Sequence, residues 1–177
     1  MPKNSKEQIK QDEIKILNQL LKNANKSIND IAKSLGFSRQ KVWRIVKNLE
    51  DKHTIWGYAT ILDNQKLGKK RFILLLKRSN KPVTKDFINQ IINRDMAKKV
   101  KKMGINFVNS VLLNGHYDWL ISFTADNLKD AKNLIELYYK TYEGLISEIH
   151  LVEHMFPVLY DGIQNPEIEK LKDYFTI

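Results

Sequence analysis

The chain has no cysteine in its 177 residues, which excludes disulfides, thiolate catalysis and cysteine-ligated zinc or iron–sulfur sites. Long apolar runs are missing as well. The longest, Phe72 to Leu76, is far shorter than the roughly eighteen residues a membrane span needs. No membrane partner is expected, and without a signal-peptide pattern at the start the expected location is the cytoplasm. Catalytic and metal-binding spacings are equally scarce: His116, His150 and His154 share no helical or short-loop ligand spacing, and no Ser/His/Asp or paired-carboxylate constellation is supported by spacing. The reading is of a protein that is not an enzyme and that carries no metal and no cofactor.

What the chain does have is positive charge, unevenly placed. The formal net charge is +10. Residues 1–80 hold 18 Lys and Arg against 7 Asp and Glu, whereas residues 81–177 hold 12 against 13. The whole excess therefore lies in the first part, where it makes a one-sided field that attracts a polyanion. The break near residue 80 and the length together favour two small domains.

The basic part contains Ser27 to Leu49, SINDIAKSLGFSRQKVWRIVKNL. Ser27 is placed to cap a helix with Asp30 three residues on, and Ile28, Ile31, Ala32 and Leu35 form its apolar stripe. Gly36 ends that helix, Phe37 plugs the bend and Ser38 caps the next. In the second helix Val42, Ile45, Val46 and Leu49 fall on one side, leaving Gln40, Arg44 and Lys47 near the opposite pole. This is the pattern of a helix-turn-helix that enters a major groove, with Ser38, Arg39, Gln40, Lys41, Trp43, Arg44 and Lys47 as the DNA-binding set. Gln40 and Arg44 suit base edges, adenine and guanine respectively. Lys33, Lys41, Lys47 and the Lys69-Lys70-Arg71 group suit phosphates. The competing interpretation is that Arg44 and Lys47 merely form a solvated face.

Around this hairpin, residues 1–8 read as a frayed polar start. Ile9, Ile14, Ile16, Leu17, Leu20 and Leu21 then sketch a covering helix that ends near residues 23–25. Residues 54–62, rich in β-branched and aromatic types, read as a strand or small wing whose Trp56 and Tyr58 either pack beneath it or touch the DNA backbone. This winged helix-turn-helix domain is placed at residues 1–62, followed by a linker at 63–70.

Residues 71–160 read as strand, helix, strand, strand, helix, strand. Arg71 to Lys77 is a short apolar strand, and Pro82 and Thr84 open one helix with Phe87, Ile88, Ile91 and Ile92 on a face. Residues 108–113 and 119–124 make a hairpin across Asn114 to Asp118, and Leu128 to Tyr142 repeats at three and four. Residues 146–156 supply the last strand. The plan is α+β, a ferredoxin-like βαββαβ unit with four antiparallel strands and both helices on one face. Its other face is bare, and a second copy of the chain is the expected cover. Residues 161–177 read as a tail with a short helix from Asn165 and Pro166 and an apolar stripe of Ile168, Leu171 and Phe175.

The combination resembles the Lrp/AsnC, or feast/famine, transcription regulators. The match lies at Ile16-Leu17, Leu20, Ser27, Leu35-Gly36, Ser38, Val42, Val46, Leu49-Glu50 and Ile55-x-Gly57-Tyr58, then at Gly115-x-Tyr117-Asp118-x-Leu120, Asp126-x-Leu128 and Gly144. It spans about residues 9–157. The resemblance implies a homodimer formed through the sheets of the second domain, often built up to tetramers or octamers, that binds double-stranded DNA and senses an amino acid or similar metabolite. On that basis Gly115, Tyr117, Asp118 and His150 form the effector site, with Tyr117 and Asp118 receiving an ammonium group; the alternative is that they hold the turn through local hydrogen bonds. Three departures stand out. Ile45 occupies the position of a common arginine, His53 that of a usual glycine, and Glu148 and His150 those of small hydroxyl residues. Two other readings keep the architecture: a sirohaem-decarboxylase-like enzyme and a nucleoid-compacting DNA-binding protein.

Overall fold

The structure is a computed structural model that describes residues 6–175; residues 1–5 of the polar start and 176–177 of the tail lie outside the described residues. The chain divides into two compact units, one of residues 1–61 with 158–177 and the other of residues 62–157.

In the first unit three helices share one core. Helix α1 spans Lys6–Lys22, α2 Ile28–Leu35 and α3 Arg39–Asp51. Helix α1 begins at Lys6, so residues 6–8 are helical rather than frayed. Only part of its expected stripe reaches the core: Ile16 is buried and Leu17 and Leu20 pack against it, while Ile9, Ile14 and Leu21 are exposed. The turn follows its residue types. Ser27 Oγ accepts from the Asp30 N–H at 3.1 Å and donates to the Asp30 carboxylate at 2.6 Å, a reciprocal cap at the start of α2. Gly36 takes φ of +66°, the left-handed conformation that releases the chain from α2, and the Phe37 N–H returns to the Ala32 carbonyl at 2.9 Å. Ser38 Oγ accepts from the Lys41 N–H at 3.2 Å and starts α3. Ile31, Ala32, Val42, Ile45, Val46 and Leu49 complete the core, where a fully buried aliphatic side chain contributes about 1.5–3 kcal/mol.

The expected wing strand does not form. After α3 the N–H groups of His53 and Thr54 close back on Glu50 and Leu49, with His53 at φ of +55°. Residues 56–62 then have no regular structure. A strand needs a ladder partner, and no described segment pairs with these residues. Trp56 is 94% exposed and so does not pack under a wing.

The second unit holds a four-stranded antiparallel sheet. Its strands are β1 Lys70–Arg78, β2 Asn106–Leu112, β3 Trp119–Ala125 and β4 Ile146–Glu153, in the order β2-β3-β1-β4. This is the expected βαββαβ topology: β1 passes to β2 and β3 to β4 through helices, while β2 and β3 form a hairpin. Residues 63–70, read as a linker, form a 3₁₀ turn over Gln65–Leu67 and the start of β1. Strand β1 alternates: Phe72, Leu74 and Leu76 are buried against the helices, and Ile73 and Leu75 are half-buried on the other face. The register aligns Phe72 with Phe123, and their rings stack at 5.6 Å.

The single helix expected from Thr84 is split. Helix α4 spans Lys85–Ile92 and α5 spans Asp95–Lys101, with Arg94 at φ of +57° between them. The break lets Phe87 of α4 and Met96 and Val100 of α5 all reach the core, which one straight helix could not align. It also leaves Ile88 and Ile92 of the expected apolar face exposed. Helix α6, Leu128–Thr141, packs through Ala131, Leu134 and Tyr138.

The tail departs from expectation at its start. A two-residue hairpin, β5 Leu159–Tyr160 and β6 Ile163–Gln164, turns at Asp161 and Gly162, both at positive φ. The expected helix is a 3₁₀ segment, Ile168–Tyr174, and Phe175 is exposed rather than docked. This segment groups with the first unit from Val158 onward.

Candidate nucleic-acid interface

Burial along α3 sorts its side chains into two sets. Val42, Ile45, Val46 and Leu49 are buried, whereas Arg39, Gln40, Trp43, Arg44 and Lys47 are exposed, as is Ser38 at the N-terminus. The helical period that drives the first set into the core forces Gln40, Arg44 and Lys47 to project from the opposite side. Their availability differs. Among the described residues neither Arg39 nor Arg44 has an ion-pair partner. Lys47 pairs with Asp51 one turn on at 3.1 Å, and this carboxylate raises the lysine pKa.

Lys41 behaves differently from the rest of the set. It is half-buried, its ammonium lies 2.7 Å from Asp12 Oδ2, and it sits 3.9 Å from the centre of the Phe37 ring. Asp12 of α1 is itself 1% exposed and accepts from Gln8 Nε2 at 3.1 Å. The contact with Lys41 lowers the Asp12 pKa, outweighing the opposing effect of burial. The pair ties α3 to α1 and leaves Lys41 committed inside the domain. Asp12 was not among the residues singled out from the sequence. Its signal was an acidic residue one turn before Ile16, on the apolar stripe of α1.

The other basic group is spent within the second unit. Lys69 pairs with Asp126 at 2.5 Å and Lys70 with Glu153 at 2.8 Å, and Arg71 Nε donates to Ser122 Oγ at 3.0 Å. Just past α3, Tyr58 donates from its hydroxyl to Glu50 Oε1 at 3.0 Å; burial, then that carboxylate, raises its pKa.

The residues assigned to an effector separate. Tyr117 and His150 come together, with ring centroids 5.5 Å apart, and the His116 ring lies 4.8 Å from that of Tyr117. His150 in turn contacts the Glu148 carboxylate. Asp118 is occupied elsewhere: its Oδ2 accepts from the Arg78 backbone N–H at 2.7 Å, and its own N–H donates to the Leu76 carbonyl at 2.9 Å. Gly115 is exposed, with a backbone open to a Cβ.

Residues 13–55 match the model of a winged helix-turn-helix DNA-binding family. No curated protein matches the chain by sequence. Solved structures do. An AsnC family transcriptional regulator from Agrobacterium tumefaciens is 18% identical, with 84% of this chain and 91% of that one covered and a TM-score of 0.62. A transcriptional regulator from Neisseria meningitidis, solved with L-methionine, is 16% identical over 84% and 90% at a TM-score of 0.62. The leucine response regulatory protein of Mycobacterium tuberculosis is 13% identical over 85% and 94% at 0.63. With a helix-turn-helix of the DNA-binding type and a βαββαβ sheet, the chain has the fold of the Lrp/AsnC transcriptional regulators.

Proposed function

We propose that this protein is a sequence-specific transcriptional regulator of the Lrp/AsnC type that reads duplex DNA with the outer face of α3. One observation carries the reading: the buried stripe of α3 fixes Gln40, Arg44 and Lys47 on its exposed side, with Arg44 unpaired among the described residues. Glutamine offers a bidentate match to adenine and arginine to guanine. Lys47 and Arg39, with the exposed Lys33, supply phosphate contacts that set register. Lys41 is left out of that set because Asp12 holds it.

The sheet supports a homodimer. Ile73, Leu75 and Leu120 share its open face, with Val111 and Val152 nearer the edges, and a face of this kind needs a cover. A two-fold dimer then places two α3 helices on half-sites about one helical turn apart, or a multiple of it. Effector sensing is part of the same proposal. It rests on the Tyr117–His150 contact and on the methionine-bound relative, with the Glu148–His150 pair favouring a ligand of different polarity from that bound at a hydroxyl-lined site. The cytoplasm is the proposed location.

Selection of bound sites from random duplex DNA tests the core of this. A palindromic motif with helical-turn spacing is the expected result; recovery of unselected sequence would replace sequence-specific regulation with architectural binding. A thermal-shift panel of the proteinogenic amino acids tests the effector, and the absence of stabilisation by any of them rejects amino-acid sensing.

A further inference from the structure

We propose that the cavity between α4 and the helix-side face of the sheet binds an apolar monocarboxylate, a fatty or aryl acid, at a site separate from the Tyr117–His150 cluster. The cavity has a volume of about 360 Å³ and is walled by Leu76, Val83, Phe87, Ile91, Trp119 and Leu145. That volume suits a small ligand on the order of ten heavy atoms. The alternation of β1 separates the two sites: Leu76 points to the helix side, whereas Leu75, opposite His150, points to the open face.

The net charge of the lining residues selects the head group. Lys77, Arg78 and Lys81 are among the lining residues, and none has an ion-pair partner among the described residues. Asp118, the one acid in the lining, has Oδ2 engaged by the Arg78 N–H. Lys81 is seated by a backbone feature: Gly144, at φ of +70°, leaves the space its stem occupies, since a Cβ there would lie 2.1 Å from Lys81 Nζ. The lysine stem therefore lies against Gly144 while the residue stays exposed. An apolar wall of this kind gains from being covered by an apolar chain. With three basic residues in its lining against one acid, an anionic head is favoured and an ammonium head is repelled. The exposed side chains of Ile92 and Leu112, 69% and 72% accessible, extend the apolar wall to the lip.

The test is calorimetric titration of the full-length protein with decanoate and with decylamine, which share a tail and differ in head-group charge, both below their micelle ranges. No DNA is present, so the result is independent of the DNA-reading proposal. Trp119 locates the ligand: in a Trp43→Phe/Trp56→Phe chain it is the sole tryptophan, and its emission should change on saturation. Decanoate is expected to bind one per chain, with decylamine weaker by about tenfold or more. Lys81→Glu, a change at an exposed position, should weaken decanoate to a similar extent, and Ile91→Trp should fill the cavity and abolish binding. Equal binding of the two probes, or decanoate binding indifferent to both variants, overturns the proposal. So does an absence of decanoate binding together with an oligomeric state that changes in Ile92→Lys, which would make the apolar lip a self-contact instead.

Discussion

The two basic clusters of this chain look alike as sequence and differ as structure. Arg39, Gln40, Arg44 and Lys47 project from α3, and the two arginines have no ion-pair partner among the described residues. Lys69, Lys70 and Arg71 are just as basic, yet each is taken up by a group of its own unit: Asp126, Glu153 and Ser122. A count of charge therefore overstates what is offered to DNA. The arginines on the outer side of α3 stay free of ion pairs, whereas Lys69 and Lys70 at a strand start lie beside acids at the ends of neighbouring strands that neutralise them. Lys41 makes the same point within α3, being turned inward to Asp12 by its place on the helix.

The largest expected effect lies at that exception. Asp12→Ala strands a partly buried ammonium, and breaking a buried pair from one side costs about 3–5 kcal/mol, reduced here because Lys41 is partly exposed. Thermal unfolding should show a markedly less stable first unit; an unchanged midpoint would mean the pair is not part of the fold. The pH dependence has a definite sign. Because the folded pKa of Asp12 is depressed, its contribution is complete above the ordinary carboxylate value of about 3.9 and is lost as pH falls through the lower folded value. Asp12→Asn should flatten that acid limb.

Arg44→Ala comes next, with an expected loss of about 1–3 kcal/mol in operator affinity and relaxed preference at one base position of each half-site. Lys47→Ala should weaken all sequences alike and reduce the salt slope by about one ion per site. A smaller effect tests the helix exit. His53 holds a left-handed backbone at φ of +55°, which costs an L-residue about 1–2 kcal/mol, so His53→Gly should raise the melting temperature slightly. The smallest effect belongs to the second cluster. Lys70→Ala removes an exposed ion pair worth about 0–1 kcal/mol and should leave DNA affinity unchanged.

Much of this was legible in the residues. Ser27, Gly36 and Ser38 punctuate the hairpin because a cap or a left-handed turn has local chemistry that a sequence displays, and the stripe of α3 follows from its period alone. The sheet order follows from the alternation of strand and helix patterns. What was not legible depends on tertiary partners. Thr54 to Leu62 has strand-forming residues but no described neighbour to pair with. The split at Arg94 answers to a core that needs both Phe87 and Val100, and Asp12 reads as a surface acid until Lys41 arrives beside it from α3. The Asp118 carboxylate, assigned to an effector, is claimed by a backbone N–H of the adjacent strand, which no spacing along the sequence announces.

The most direct test of the central claim is the affinity for a selected operator of the native chain, Arg44→Ala and Lys70→Ala, measured side by side across a salt series. The account predicts that Arg44→Ala binds about tenfold or more weakly at every salt concentration while Lys70→Ala overlays the native curve. If Lys70→Ala lost affinity and Arg44→Ala did not, DNA would not be read by the outer face of α3.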